Sequence, residues 1–135
     1  MMPAIILSDE TVAKKKASDY FLEFKDRNGD DAYVVLVELR YYSHRYNRWV
    51  VCNVGDVSDG ATGAYDIDSF GWLFHDDLCN TGEFESGSKC TNWQASMVVY
   101  DILRAEGRYI RAITWKYATF IGGGGKARKN GMFKL

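Results

Sequence analysis

The sequence lacks an excess of charge of either sign and lacks any long apolar run. Its 17 Lys and Arg residues nearly balance its 18 Asp and Glu residues, which gives a formal net charge of −1. Dedicated nucleic-acid binders show a strong basic field instead. No apolar segment approaches the roughly 18 residues of a membrane-spanning helix. We therefore expect neither a nucleic-acid partner nor a membrane span.

Cysteine is scarce as well, and its pattern is not that of a disulfide framework. The three cysteines, Cys52, Cys79 and Cys90, are odd in number and widely spaced. Disulfide-stapled domains show even numbers at closer spacings. The apolar start of the chain is short and lacks the basic segment that opens a secretory signal. These features indicate free thiols in a reducing compartment.

Apolar and aromatic residues, in contrast, are abundant. They make up 47% and 15% of the 135 residues, well above the content of disordered chains. A chain of this length suits one domain with a real core. We predict a single domain, 1–135, with an N-terminal arm (1–19), a β-meander (20–54), a loop with helices (55–121) and a glycine hinge with a basic tail (122–135).

The first half of the chain has the pattern of strands. Residues 20–25 largely alternate between apolar and polar, and the Asn28-Gly29 pair that follows favours a hairpin turn with positive φ. Residues 33–42 are rich in Val, Leu and Tyr, and a third such segment covers 48–54. These segments predict a three-stranded antiparallel meander.

Three helices are predicted after the polar loop at 55–66. Asp68 can cap the first helix, over 69–79, whose apolar residues surround most of its circumference. Thr91 and Gln94 have the spacing of a capping box and start the second helix, which ends before Gly107. The predicted fold is therefore α+β, with the meander first and the helices after it.

The third predicted helix covers 108–121 and carries an apolar stripe. The stripe is formed by Ile110, Ile113, Tyr117 and Phe120. Four consecutive glycines end this helix, and a basic tail with Lys126, Arg128 and Lys129 follows. Because glycine has no conformational preference, we expect this tail to be flexible until a partner binds it.

His75 and Asp76 are the residues most able to carry chemistry. A histidine beside a carboxylate can act as a general base, since imidazole titrates near neutral pH. It can equally be a buried histidine satisfied by hydrogen bonds. In the structural interpretation, which we prefer, Asp59 in the preceding loop accepts a hydrogen bond from His75 or from free backbone donors of the helix.

Several short motifs resemble one known family. These are Ser58-Asp59-Gly60-Ala61-Thr62, His75-Asp76-Asp77-Leu78, and the capped and aromatic-rich helices after them. Together they resemble the phage-borne family catalogued as domain of unknown function 1353. The resemblance covers about 48–124 and implies a tailed-phage or prophage origin and a domain with its sheet before its helices. It supplies no activity, and Cys79 and Ser96 depart from the Tyr and Asp typical of that family.

A fainter similarity is to small secreted phospholipases, in which a helical His-Asp pair activates water beside calcium. His75 and Asp76 match that pair. The acid that orients the histidine in those enzymes is missing at Ser96, although Asp101 lies nearby in sequence. Gly55–Gly63 resembles a calcium loop only in composition. A His-Asp hydrolase, lipase-like or directed at the cell envelope, is therefore the alternative function.

Zinc is a further alternative that we do not prefer. His75 and Cys79 lie four apart on one helix, as two zinc ligands can, and Cys90, Cys52 or His44 would have to complete the site. Structural zinc sites normally have two closely spaced ligand pairs, and the sequence has no second pair to complement His75 and Cys79. We predict no metal and no cofactor, with the thiols packed as small apolar groups.

Binding is the function that the sequence favours. The chain carries more aromatic side chains than one small core readily buries, and aromatic residues are favoured at interfaces. This aromatic excess comprises Tyr41, Tyr42, Tyr46, Trp49, Trp115 and Tyr117. The interface candidates are Tyr41, Tyr42, Tyr46, Trp49, Lys126, Arg128 and Lys129. With the resemblance, this predicts a phage structural or assembly-accessory protein that contacts other phage proteins or further copies of itself. It would occur in the host cytoplasm during infection and later in the virion.

Overall fold

The architecture is α+β, with strands in the first half of the chain and helices in the second, as the sequence predicts. The structure is a computed structural model that describes residues 3–58, 68–122 and 125–131. Within these residues six strands form two three-stranded sheets. They are β1 (Ile5–Leu7), β2 (Phe21–Lys25), β3 (Asp31–Val35), β4 (Leu39–Ser43), β5 (Arg48–Cys52) and β6 (Val57–Ser58).

The two sheets differ in their strand directions. Sheet A has the order β1-β4-β5, in which β1 is parallel to β4 and β5 is antiparallel to it. Sheet B has the order β2-β3-β6 and is antiparallel throughout. Two short 3-10 helices, Val12–Lys14 and Ala17–Tyr20, lie between β1 and β2. The predicted meander is therefore shared between two sheets.

The strand predicted over 33–42 is interrupted, because its two halves have different partners. Just after β3, the backbone N–H of Leu36 donates to the carbonyl of Tyr20 at 2.8 Å, which continues sheet B. Just before β4, the carbonyl of Glu38 accepts from the N–H of Ile5 at 2.9 Å, which begins sheet A. The chain thus passes from one sheet to the other within three residues.

The helices form a layered group beside the sheets. Their bounds are α1 (Gly71–Thr81), α2 (Asn92–Ala105), α3 (Tyr109–Gly122) and α4 (Gly125–Asn130). Helix α1 lies between the strands and α2, and α2 packs on both α1 and α3. Within the described ranges, none of these helices has the length and hydropathy needed to span a bilayer.

The main core lies between sheet A and α1, as the apolar circumference of that helix predicts. Phe70 and Phe74 are fully buried, and the ring of Phe74 lies 5.7 Å from that of Tyr41. Burial of each such side chain stabilises the fold by roughly 1.5–3 kcal/mol. The other large, fully buried side chains include Leu7, Leu39, Val50, Leu73, Leu78, Val98 and Ile102.

Helix α2 begins and ends as predicted. The hydroxyl of Thr91 accepts a hydrogen bond from the N–H of Gln94 at 3.3 Å, and the Gln94 side-chain oxygen accepts from the N–H of Thr91 at 3.0 Å. Gly107 follows the helix with a φ of +83°. Both signals are local in sequence, since each involves groups at most four residues apart.

The predicted cap of α1 is wrong, because Asp68 does not contact the start of that helix. Its carboxylate accepts a hydrogen bond from the hydroxyl of Ser18 instead. At the start of α1 the hydroxyl of Ser69 accepts from the N–H of Gly71 at 3.0 Å, and the carboxylate of the distant Glu106 accepts from the N–H of Phe70 at 3.0 Å and from the hydroxyl of Ser69 at 2.6 Å. A negative charge at a helix N-terminus is favourable, because the free N–H groups point toward it.

Replacing Glu106 by alanine is expected to destabilise the domain by roughly 1–3 kcal/mol, the usual cost of leaving buried hydrogen-bond donors without an acceptor. The N–H of Phe70 and the hydroxyl of Ser69 would lose their acceptor. Urea unfolding of the variant measures the difference. The exposed Glu83 provides the control, since Glu83→Ala removes a carboxylate without a side-chain hydrogen bond to a helix terminus. Equal stability of the two variants would contradict this role of Glu106.

The predicted flexible tail is instead helix α4 over much of its length. Ala127 is fully buried, and α4 packs on α1 and α2. The side-chain amide of Asn130 donates to the carbonyls of Gly82 at 2.8 Å and Cys90 at 2.9 Å. This amide joins the loop after α1 to the start of α2 and so holds the described part of the tail, residues 125–131, against the helices. Residues 123–124 and 132–135 lie outside the described residues.

Candidate functional site

His75 lies inside the protein on α1, with 8% of its surface exposed. Its Nε2 atom is 3.5 Å from the sulfur of Cys79, one helical turn further on. Burial lowers the pKa of His75 to about 4, so the imidazole is neutral at neutral pH. Asp59, the predicted acceptor, lies outside the described residues. The structure thus places His75 against a thiol in the interior.

Asp76 faces a different direction from His75. Its carboxylate accepts a hydrogen bond from the hydroxyl of Ser58 at the end of β6. Successive residues of a helix are separated by about 100°, so neighbours in sequence do not share a face. The predicted catalytic pair is therefore not assembled, because the imidazole points to the core and the carboxylate to a cavity.

This cavity lies between α1 and the turn that joins β5 to β6, and its volume is about 160 Å³. Its polar lining includes Asn53, Asp56, Ser58, Asp76 and Asp77. Among its described lining residues there is no histidine and no basic side chain. The cavity therefore presents carboxyl and hydroxyl groups.

The carboxyl group of Asp77 in this cavity has a strongly raised pKa. Burial raises its pKa to about 8, and the hydrogen bond with the carboxyl of Asp56 and the charges of Asp56 and Asp76 act in the same direction. Asp56 is held in place because its carboxylate also accepts from the N–H of Asn53 at 2.8 Å. Asp77 is thus protonated at neutral pH and forms a carboxyl pair with Asp56 through this hydrogen bond. Sequence reasoning missed this pair, for which the only signal was the second acid after His75.

The two positions considered for a partner of His75, Asp101 and Ser96, have other contacts. Asp101 accepts two hydrogen bonds from the guanidinium of Arg45, at 2.8 and 2.9 Å. Ser96 is fully buried, and its hydroxyl accepts from Thr119 at 3.0 Å. Neither residue orients the imidazole. The arrangement of the phospholipase-like alternative is therefore missing in the described parts of the chain.

The potential metal ligands are dispersed. Cys52, Cys79 and Cys90 are buried free thiols, and the Cys52 sulfur contacts the Leu73 carbonyl at 3.7 Å. His44 is at the surface, 3.2 Å from Glu10. Across residues 3–58, 68–122 and 125–131, no three His, Cys, Asp or Glu side chains are grouped to hold a metal ion.

The four aromatic interface candidates lie at different depths. Tyr41 is fully buried, and its hydroxyl donates to Asp9 at 2.6 Å, so its assignment to an interface is wrong. Tyr46 is partly buried against the core residue Phe84. The rings of Tyr42 and Trp49 lie on the other face of sheet A, 5.1 Å apart. Because neighbours along a strand point to opposite faces, Tyr41 and Tyr42 separate.

The three basic candidates are exposed on α4. Lys126 and Lys129 point to solvent, and the guanidinium of Arg128 donates to the carbonyl of Ile121 at 3.1 Å. Arg128 thereby joins α4 to the last turn of α3. A cation at a helix C-terminus is favourable, because the last carbonyls there have no partners within the helix.

The largest exposed apolar surface on a helix lies on α3. We define the apolar stripe of α3 as Ile110, Ile113, Tyr117 and Ile121, whose exposures are 82%, 55%, 51% and 72%. This helix packs on α2 with its opposite face, which contains the fully buried Ala112. Phe120, expected in the stripe, packs against Trp93 with ring centres 5.3 Å apart. The predicted stripe therefore faces away from α2.

Comparison with protein-family models, curated proteins and solved structures finds no match to this chain. The family resemblance of the motifs accordingly stays a prediction.

Proposed function

We propose that this chain acts by binding another protein through the apolar stripe of α3. The observation that carries the proposal is the exposure of this stripe, which reaches 82% at Ile110 and 72% at Ile121. An amphipathic helix normally turns its apolar face to the core. Contiguous exposed apolar surface instead marks sites of interaction. The exposed stripe thus has the character of a docking surface.

Charge around the stripe specifies the chemistry of the partner. After Glu106 the sequence contains seven Lys or Arg residues and no Asp or Glu. Lys126 and Lys129 are exposed on α4, and Arg128 lies at the Ile121 end of the stripe. Complementary charges favour encounter and select the partner. The partner surface should therefore be apolar at its centre and acidic at its edge.

The biological setting comes from the motifs of the sequence. Their resemblance to a phage-borne family supports a role as a structural or assembly-accessory protein of a bacteriophage. The partners would be other phage proteins or further copies of this chain. The protein would occur in the host cytoplasm during infection and later in the virion.

Catalysis by His75 and Asp76 is the weaker hypothesis. The imidazole contacts Cys79, and the Asp76 carboxylate contacts Ser58. A general base must reach the proton that it removes within about one hydrogen bond. A buried imidazole that does not line the cavity lacks that reach. Binding is therefore the function that the geometry supports best.

The double substitution Ile110→Glu with Ile121→Glu tests the role of the stripe. Both side chains are exposed, so the melting temperature should stay within the range of ordinary surface substitutions. Two carboxylates in an apolar interface should weaken docking strongly, because they would lose their hydration. Quantitative mass spectrometry of purified phage particles gives the number of copies of each variant. We expect the parent chain at fixed stoichiometry and the double variant to be depleted.

Ala118→Glu is the matched control, because Ala118 is exposed on α3 outside the stripe. It should be incorporated like the parent. Normal incorporation of the double variant would show that the stripe is not the docking surface. The hydrolase would be favoured by two observations together. The parent chain would be absent from particles, and His75→Ala would abolish a phenotype without unfolding the protein.

A further inference from the structure

A second exposed apolar surface lies on sheet B. Strand register aligns Leu22 of β2 with Val34 of β3, and Val34 with Val57 of β6, so the three side chains form a row. Leu22 is 56% exposed and Val57 is 54% exposed. Phe24 shares this face at 38% exposure. We call these four residues the outer face of sheet B.

The inner face of sheet B packs within the molecule. Phe21 and Tyr33 of this face form an aromatic cluster with Trp72 of α1, with ring centres 5.0–5.6 Å apart. A sheet with two apolar faces is stable when a second layer covers the other face. The outer face therefore has the composition of a surface that a further layer covers.

The dimensions of the outer face suit one helix. Three strands spaced at about 4.8 Å give a width of about 10 Å between the edge strands, and an α-helix with its side chains is about 10–12 Å in diameter. Helix α3, with 14 residues, is about 21 Å long. Its stripe and the row Leu22, Val34 and Val57 could thus form a helix-on-sheet layer.

The charges of the two surfaces are opposite. The β2–β3 turn beside the outer face contains Asp26 and Asp30 against the cation Arg27, while Asp31 at the start of β3 is paired with Lys25 at the end of β2. Eight of the 17 basic residues follow Leu103, but only one of the 18 acidic residues does. The acidic excess therefore belongs to the part of the chain with the sheets, and the basic excess to the part with α3.

One molecule cannot bring these two surfaces together. Helix α3 packs on α2, α2 packs on α1, and α1 packs on β6 of sheet B. Two helices therefore separate the stripe from the sheet. A contact between the surfaces has to be made by two copies of the chain.

We propose that the apolar stripe of α3 docks on the outer face of sheet B of a second copy. This inference rests on the proposed function and names a further copy as the partner. Each copy would turn its stripe toward one neighbour and its outer face of sheet B toward another. The two sides of the contact are therefore different surfaces, which makes it a heterologous contact. Such contacts continue from copy to copy and produce rings or filaments.

Mixing two variants of the purified chain tests this arrangement. The helix variant is Ile110→Glu with Ile121→Glu, and the sheet variant is Leu22→Lys with Val57→Lys. Sedimentation velocity over a range of concentrations should show that the parent forms assemblies larger than a dimer. Each variant alone should associate more than about tenfold more weakly, the effect expected for central interface residues. Their mixture should form a 1:1 dimer and stop, because each variant retains one intact surface.

Every other outcome overturns the proposal. If the sheet variant alone associates like the parent, the contact is symmetric or uses another surface. If the parent is monomeric at all concentrations, the partner is not a second copy. The proposed function would then still be tested by the incorporation of the stripe variant into phage particles. Thermal unfolding of both variants shows whether they are folded. Addition of salt to the parent should weaken association, since the edges of the contact are oppositely charged.

Discussion

Asp77→Asn is expected to abolish most of the loss of stability that the parent should show between pH 6.5 and 8. In the folded chain the pKa of Asp77 is raised to about 8, by burial and by the carboxyl of Asp56. In the unfolded chain an aspartate has a pKa near 3.9. Between these values the folded state holds a proton that the unfolded state has lost. Stability therefore falls as pH rises, by up to about 1.4 kcal/mol per pH unit.

Asparagine suits this test because its amide can donate to Asp56 but does not titrate. Urea unfolding at several pH values between 6.5 and 8 measures the slope. Asp30→Asn, in the exposed β2–β3 turn, should keep the slope of the parent. If Asp77→Asn and Asp30→Asn have the same slope, the Asp56–Asp77 pair does not hold the proton.

The pKa of His75 also differs between the folded and the unfolded chain, so His75 contributes to the pH dependence of stability as well. Burial lowers the pKa of His75 to about 4, below the value near 6.5 of the unfolded chain. Between pH 4 and 6.5 the unfolded state binds the additional proton, so His75 makes stability rise with pH. Asp77 acts in the opposite direction over that interval. Above pH 6.5 the contribution of His75 to the slope declines as the unfolded imidazole loses its proton. Because His75 is the same in the parent and in Asp77→Asn, the difference in slope between these two chains reports Asp77.

Gly82→Ala is expected to destabilise the domain by roughly 2–4 kcal/mol. Gly82 follows α1 with a φ of +68°, a conformation that costs a residue with a Cβ about 1 kcal/mol or more. A Cβ built there lies 2.8 Å from the Cβ of Lys126 and 2.9 Å from the amide nitrogen of Asn130. Forcing additional atoms into a packed contact costs typically 1–3 kcal/mol more.

Gly87→Ala is the matched control for this substitution. Gly87 has a φ of +86°, but a Cβ built there has no atom within 4 Å. It should cost only the conformational part, about 1 kcal/mol. The difference between the two variants in thermal or urea unfolding measures the packing of α4 on the end of α1. Equal losses would mean that the tail after the glycine run does not pack there.

The candidate site was only partly predictable from sequence. Asp76 does line a cavity, but its partner is Ser58 and not His75. Asp56 and Asp77 are 21 positions apart in the chain, and nothing local to either one indicates that they meet. Similarly, nothing in the sequence around Phe70 indicates that its N–H donates to Glu106, because Phe70 precedes α1 whereas Glu106 follows α2.

The sequence by itself determined the features that depend on near neighbours. The capping box of Thr91 and Gln94 sets the start of α2, since both hydrogen bonds join residues three apart. The Val, Leu and Tyr content of residues 33–42 predicts strand there, and every second residue from Tyr33 to Ser43 is buried, as the two-residue repeat of a strand requires. This alternation of burial continues without a break where the chain leaves sheet B and enters sheet A, so it does not indicate the change of sheet.

The tertiary structure decided what depends on contacts between distant parts of the chain. It assigned β3 and β4 to different sheets, because backbone donors and acceptors pair with whichever strand lies alongside. It left the stripe of α3 exposed, because that helix packs on α2 through Ala112 and Thr119. A periodic pattern shows that a helix has an apolar face, but only the neighbouring elements determine whether that face is covered.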